Sequence, residues 1–166
     1  MENIESSKVD KLDQKYIEFS KKVKDVTSLE NAFKVYYALK NIVKKHKLSG
    51  LTIRCFDLLD KYKNTACLAL GLLNSEGIVS ACEGDVPSLI TMYLIYNLTM
   101  QSSFMANPSE INLMDMTMIL AHCTIPFNMI NKYELMTHFE SNLGVAIKGE
   151  LNEGLVTICK ISPLLD

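Results

Sequence analysis

Two carboxylates flank a glycine at Glu83-Gly84-Asp85, directly after the short run Ile78-Val79-Ser80-Ala81-Cys82. If that run is a strand and a helix follows, both acids sit beyond the strand's C-terminal end. Open α/β sheets bind their ligands there. Gly84 lets the backbone approach a ligand closely. A carboxylate at a helix N-terminus is kept ionised by the dipole and by unpaired N–H groups. An ionised pair of this kind suits a hard or borderline divalent cation. The same residues have a simpler reading, in which Asp85 is a helix cap and Glu83 a loop carboxylate.

Other chemically capable residues are scattered. His122 closes the apolar run that begins at Met116, sharing a strand face with Leu120 and Met118 by period. His138 lies in Thr137-His138-Phe139-Glu140, while His46 stands among lysines and reads as exposed. His122 and His138 each read either as a locally satisfied core histidine or as part of a site. Arg54 interrupts an apolar stretch beside Asp57. A buried guanidinium needs a partner, so Arg54 either pairs with a local carboxylate or faces a pocket and binds a hydroxyl or oxyanion. The five cysteines, Cys55, Cys67, Cys82, Cys123 and Cys159, show no C-x-x-C spacing. They read as buried free thiols in a reducing compartment rather than a zinc knuckle. Cys123 follows His122, and neighbours on a strand point to opposite faces, so no dyad is expected. There is no Walker loop and no G-x-G-x-x-G.

The elements that must position these residues follow from periodicity. Residues 1–26 read as a polar, partly exposed helix with apolar positions at Ile4, Leu12, Tyr16, Ile17 and Phe19. Thr27-Ser28-Leu29-Glu30 fits a capping box with Thr27 as N-cap. Leu29, Phe33, Tyr36, Leu39 and Val43 continue at helical spacing to about Lys47, and Ser49-Gly50 stops the helix. Leu51 to Phe56 predicts a strand, and Asn64 predicts the cap of a helix running to Ser75. Ile78 to Cys82 is apolar on both faces, as a parallel strand covered by helices must be. Asp85 predicts the cap of a third helix with Pro87 in its first turn. Beyond Gln101 the pattern changes. Phe104-Met105, Met116 to His122, Tyr133 to Glu140, Val145 to Glu150 and Leu155 to Ile161 read as short strands of an antiparallel unit. The expected fold class is therefore α/β, a parallel-type sheet with flanking helices followed by an antiparallel β segment. Its parts are an N-terminal helical extension (1–28), an α/β unit (29–102) and the antiparallel segment (103–166), packed as one compact domain.

Composition sets bounds on partners. Of 166 residues, 48% are hydrophobic, enough for a sizeable core, and the net charge of −2 gives no case for nucleic acid or an acidic membrane surface. The basic front of the chain interleaves its lysines with Asp and Glu, which reads as a solvated helical face. Leu89 to Met100, the longest largely apolar run, is too short to span a bilayer. The first 25 residues are too charged for a signal peptide, so a cytoplasmic location is expected.

Several stretches, in order, resemble the C-terminal half of the L-fucose and L-arabinose isomerase superfamily, and most closely its fucose isomerase-like proteins. They are Leu51 to Leu59, Cys67 to Leu70, Leu73 to Gly77 and Cys82-Glu83-Gly84-Asp85. Phe104 to Pro108, Leu120 to Cys123 and Thr137 to Ser141 continue the series. The resemblance spans roughly residues 29 to 161. It implies a divalent metal, usually manganese, and aldose–ketose isomerisation through an enediol, with a monosaccharide as substrate. Glu83 matches the family glutamate that is both ligand and acid/base group. His122 falls where arabinose isomerases place a site histidine. Asn107 falls in the stretch of the second ligand carboxylate, which is replaced here by Ala106-Asn107. Arg54, Asp85 and His138 are the residues then expected to meet the sugar.

The resemblance also implies an incomplete antiparallel barrel. A further family histidine lies beyond the matched region, and a large domain precedes it in full-length members. Three readings follow: a piece of a longer enzyme, one part of a site completed by a second copy or a complementary chain, or a non-catalytic sugar-binding or assembly domain. An exposed strand edge would promote such association.

Overall fold

A computed structural model describes residues 9–162. Ile4 of the expected first helix lies outside them. Helix α1 (Val9–Ser20) leads into α2 (Val26–His46). Phe19 is buried, stacked on Phe127 with ring centroids 5.2 Å apart and also against Phe33 and Tyr133. The end of α1 is thus a core element rather than a loose extension.

The N-cap of α2 is Asp25, not Thr27: one Asp25 oxygen accepts from the Thr27 N–H at 2.9 Å and the other from the Ser28 hydroxyl at 2.6 Å. A carboxylate two residues upstream satisfies both groups at once, which the Thr27 hydroxyl cannot. Leu29, Phe33, Tyr36 and Val43 are the buried stripe of α2, as their spacing predicts. The helix ends at His46, with Lys47 at φ 52°, before Ser49-Gly50 is reached.

A parallel pair follows, β1 (Gly50–Thr52) beside β2 (Val79–Ala81), in register Gly50 to Val79 and Thr52 to Ala81. Strand β1 is shorter than expected because the chain turns at Ile53-Arg54 into a helix, α3 (Phe56–Tyr62), which has no buried residue. Helix α4 (Cys67–Ser75) is buried from Cys67 to Asn74 and forms the centre of the core. Its N-cap is Ala66 rather than Asn64. Asn74 grips the backbone of Ser80: its amide donates to the Ser80 carbonyl at 2.7 Å and its oxygen accepts from the Ser80 N–H at 2.9 Å. A side chain thereby supplies the hydrogen bonds another strand would give β2. Helix α5 (Val86–Thr99) starts where Asp85 caps it, with Pro87 in the first turn.

Two antiparallel hairpins complete the fold. Strand β3 (Asn107–Asn112) pairs with β4 (Thr117–Ala121), and β5 (Ile130–Met136) pairs with β6 (Ala146–Leu151). The molecule is α/β, with no closed barrel among the described residues. Two expected strands are absent. Phe104-Met105 is irregular, although Met105 is buried, and Leu155 to Ile161 runs as an exposed irregular segment. Alternating apolar residues specify a face, but a strand also needs a neighbour to accept its hydrogen bonds. No helix among the described residues is long and apolar enough to cross a membrane.

Candidate functional site

The turn after β2 is fixed from three sides. Gly84 N–H donates to the Ile53 carbonyl at 3.0 Å, Asp85 N–H to the Cys82 carbonyl at 3.1 Å, and the Thr52 hydroxyl to the Cys82 carbonyl at 3.2 Å. Glu83 and Gly84 are both left-handed, at φ 63° and 71°. Glycine adopts that region freely, but an L-residue with a β-carbon does so at a cost. Gly84 must also stay bare, since an added β-carbon would stand 2.9 Å from Cγ of Arg54.

The turn faces the ends of the other sheets across a cavity of about 210 Å³. Its lining brings together Glu83, Asn107, His122 and His138 from four separate segments, with Glu140 at the same wall. Strand β4 ends at Ala121, so His122 is not held to the strand's alternation. Met118 and Leu120 are exposed, whereas the His122 side chain is only 5% exposed. His122 Nε2 lies 3.4 Å from Oε1 of Glu83, and Nδ1 lies 2.9 Å from the Thr124 hydroxyl. Burial pulls the His122 pKa below its ordinary value, against the opposing attraction of Glu83. The ring is therefore neutral at pH 7, and the approach to Glu83 is a polar contact rather than an ion pair. The same break in the strand puts Cys123 beside His122 in the lining, with Sγ 3.9 Å from Nδ1, where alternation predicts opposite faces.

His138 is buried in the turn between β5 and β6, not on a strand. Its Nδ1 is 3.2 Å from the Ser141 hydroxyl, and Phe56 meets its ring edge-on at 6.4 Å. Two expected site residues are absent from the cavity lining. Arg54 is largely exposed and pairs with Asp57 at 3.5 Å, the first of its two sequence readings. Asp85 is occupied as a cap: its oxygens accept from the Ser88 N–H at 2.8 Å and the Ser88 hydroxyl at 2.6 Å, which hold its carboxyl below the usual range.

Spacing along the chain hides a second feature. Four of the five cysteines are buried in two thiol pairs, Cys55–Cys82 and Cys67–Cys123, each with sulfurs 2.9 Å apart. In the first pair, donation from Cys82 lowers the Cys55 pKa to about 7 and raises that of Cys82. On losing a proton the pair carries its charge at Cys55, where the Cys82 thiol donates to it. No C-x-x-C or C-x-H spacing signals either pair, because each joins segments distant in sequence.

No family model and no solved structure matches the chain. It is similar to a sulfoquinovose isomerase of Clostridium sp. (strain MSTE9), 33% identical over an alignment of 107 residues that covers 59% of this chain and 24% of that protein. It is also similar to a sulfoquinovose isomerase of Alkalicoccus urumqiensis, 27% identical over 88 residues, covering 52% of this chain and 20% of that protein. The chain thus spans about a quarter or less of the length of these two relatives, and over that span it is similar to sugar isomerases.

Proposed function

We propose that this chain supplies part of the active site of an aldose–ketose sugar isomerase, with Glu83 as its proton-transferring group. The observation that carries the reading is the approach of Glu83 Oε1 to His122 Nε2, 3.4 Å apart in one cavity yet borne by different sheets. The partial similarity to sulfoquinovose isomerases supports the same class of reaction.

In such a reaction a carboxylate removes the proton from C2 of the open-chain aldose while the C1 carbonyl oxygen takes up a proton, which gives the enediol. The carboxylic acid then returns its proton to C1, and the C2 hydroxyl gives up its proton as C2 becomes the carbonyl, so the oxygen-bound proton lost at O2 replaces the one gained at O1. Two features support Glu83 in this role: its side chain lines the cavity, and the turn that carries it is pinned by the bond from the neighbouring Gly84 N–H to the Ile53 carbonyl. The donor set fits a divalent metal of the manganese type. Glu83 offers a carboxylate, His122 a neutral imidazole and Asn107 a carbonyl oxygen, all hard or borderline donors. Two donors 3.4 Å apart are near the roughly 3 Å that separates neighbouring ligands on one octahedral ion. When bound, the metal would polarise the sugar's carbonyl and hydroxyl oxygens. Thr124 would receive a hydrogen bond from Nδ1–H of His122, leaving the Nε2 lone pair for the ion. Glu140, which the sequence did not single out, lines the same cavity.

The substrate belongs to the fucose and arabinose class or, by the relatives' name, is sulfoquinovose. A second copy or a complementary chain beside the cavity is part of the proposal. The exposed apolar residues of the β3–β4 hairpin, among them Leu113, Met114 and Met116, suit such association. Thermal melting in the presence of manganese tests the reading. The wild-type chain gains melting temperature and Glu83→Gln loses the gain. A melting temperature indifferent to manganese, or a gain that survives Glu83→Gln, rejects it.

A further inference from the structure

A donor set of a different kind borders the cavity through Cys123 and His138. Sγ of Cys67, Sγ of Cys123 and a ring nitrogen of His138 all lie within 4.8 Å of one another, and all three residues are buried. They come from the start of α4, the segment after β4 and the turn between β5 and β6. We propose that Cys67, Cys123 and His138 form a site for a soft divalent cation, zinc in the first instance, beside the cavity.

Four physical points support it. First, two thiolates and an imidazole are the donors that select zinc over manganese. Second, two thiolates on a dication leave no net charge, so burial costs little where one unpaired thiolate would cost much. Third, both cysteines are free thiols, with their sulfurs 2.9 Å apart. They need to open by only about 0.9 Å to reach the roughly 3.8 Å expected of two thiolates on tetrahedral zinc. Fourth, His138 is held in its turn by the approach of Nδ1 to the Ser141 hydroxyl at 3.2 Å. A buried histidine with a ring nitrogen within 4.8 Å of both sulfurs is what distinguishes this pair from Cys55–Cys82.

The surrounding backbone ties the same three segments together. Leu68 N–H donates to the Val145 carbonyl at 3.2 Å, and Ile147 N–H donates to the Cys123 carbonyl at 3.3 Å. Zinc would join them a second time. Three protein ligands leave one tetrahedral position, and Cys123 and His138 both border the cavity, so that position is available to water.

Cobalt and zinc titrations of the reduced, chelator-stripped full chain test the proposal. Cobalt is expected to bind at one equivalent with thiolate-to-metal charge-transfer absorption. Cys67→Ser and Cys123→Ser should each weaken zinc by about a hundredfold and reduce the absorption, and His138→Gln by about tenfold or more. The Cys55→Ser/Cys82→Ser double variant keeps the band. Glu83→Gln also keeps it while losing the manganese effect, so the two sites fail independently. Zinc-edge X-ray absorption of the wild type, which depends on no variant, should show two sulfurs and an imidazole. A shell of oxygen and nitrogen alone, a band that disappears in the Cys55/Cys82 variant, or a Cys67–Cys123 disulfide in the freshly isolated protein would each overturn it.

Discussion

Glu83 is a non-glycine residue at φ 63°, followed by Gly84 at φ 71°. If its side chain serves chemistry rather than folding, the strain should be recoverable by mutation. The left-handed region costs an L-residue about 1–2 kcal/mol. Glycine removes that cost but returns about 0.5–1 kcal/mol through greater freedom in the unfolded chain. Glu83→Gly should therefore be more stable than Glu83→Ala by about 1 kcal/mol, since both lack the carboxylate and only alanine keeps the strain. Against wild type, the glycine variant also loses the contact with neutral His122. That contact is 3.4 Å long and involves a carboxylate that is 37% exposed, so its net worth is at most about 1 kcal/mol. Glu83→Gly should thus match wild type within about 0.5–1 kcal/mol. Urea unfolding in the presence of chelator measures these differences, and in thermal melts the Gly–Ala gap becomes about 2–4 °C for a chain of this size. An alanine variant as stable as the glycine variant would refute the strain argument. A loss of more than about 2 kcal/mol in both would show that Glu83 holds the turn together, and the case for a functional carboxylate would lose its physical basis.

Two further outcomes follow from the same geometry. Burial lowers the pKa of His122, so between that lowered value and the ordinary 6.5 the unfolded chain binds a proton that the folded chain refuses. Unfolding free energy then rises with pH across this window and falls on acidification through it. In urea melts of metal-free protein between pH 7 and 5, His122→Asn should flatten that dependence, and an unchanged slope would count against the buried neutral ring. Asp85→Ala removes the α5 cap and should cost about 1 kcal/mol. Asp85→Ser should recover most of it, and the manganese shift should persist in both variants if Asp85 has no part in the site.

The segment around the candidate site was readable because its information is local. A run apolar on both faces, a glycine, then an acid followed two residues on by proline specify strand, turn and capped helix within a dozen positions, and β2 and α5 form accordingly. Reading failed where local signals compete or are missing. Thr27 and Asp25 are both competent caps, and only geometry shows that one carboxylate satisfies two donors. Helix α3 has no buried face, so no periodicity announces it. Asn64 has a cap's chemistry, but α4 begins at Cys67.

The soft-donor cluster could not have been read from spacing. Cys67 and Cys123 are 56 positions apart, and His138 lies beyond one further strand, in the turn after β5. Spacing rules detect metal sites whose ligands share one hairpin or helix, and this one is assembled by tertiary packing alone. The end of β4 shows how closely the two donor sets are coupled. Released from strand alternation after Ala121, His122 reaches Glu83 and Cys123 reaches Cys67, so consecutive residues serve two donor sets beside one cavity. The backbone bond from Ile147 N–H to the Cys123 carbonyl fixes both directions at once. A shift of β6 that breaks this bond would withdraw a hard-donor ligand and a soft-donor ligand together. Substitutions confined to side chains, by contrast, should separate them.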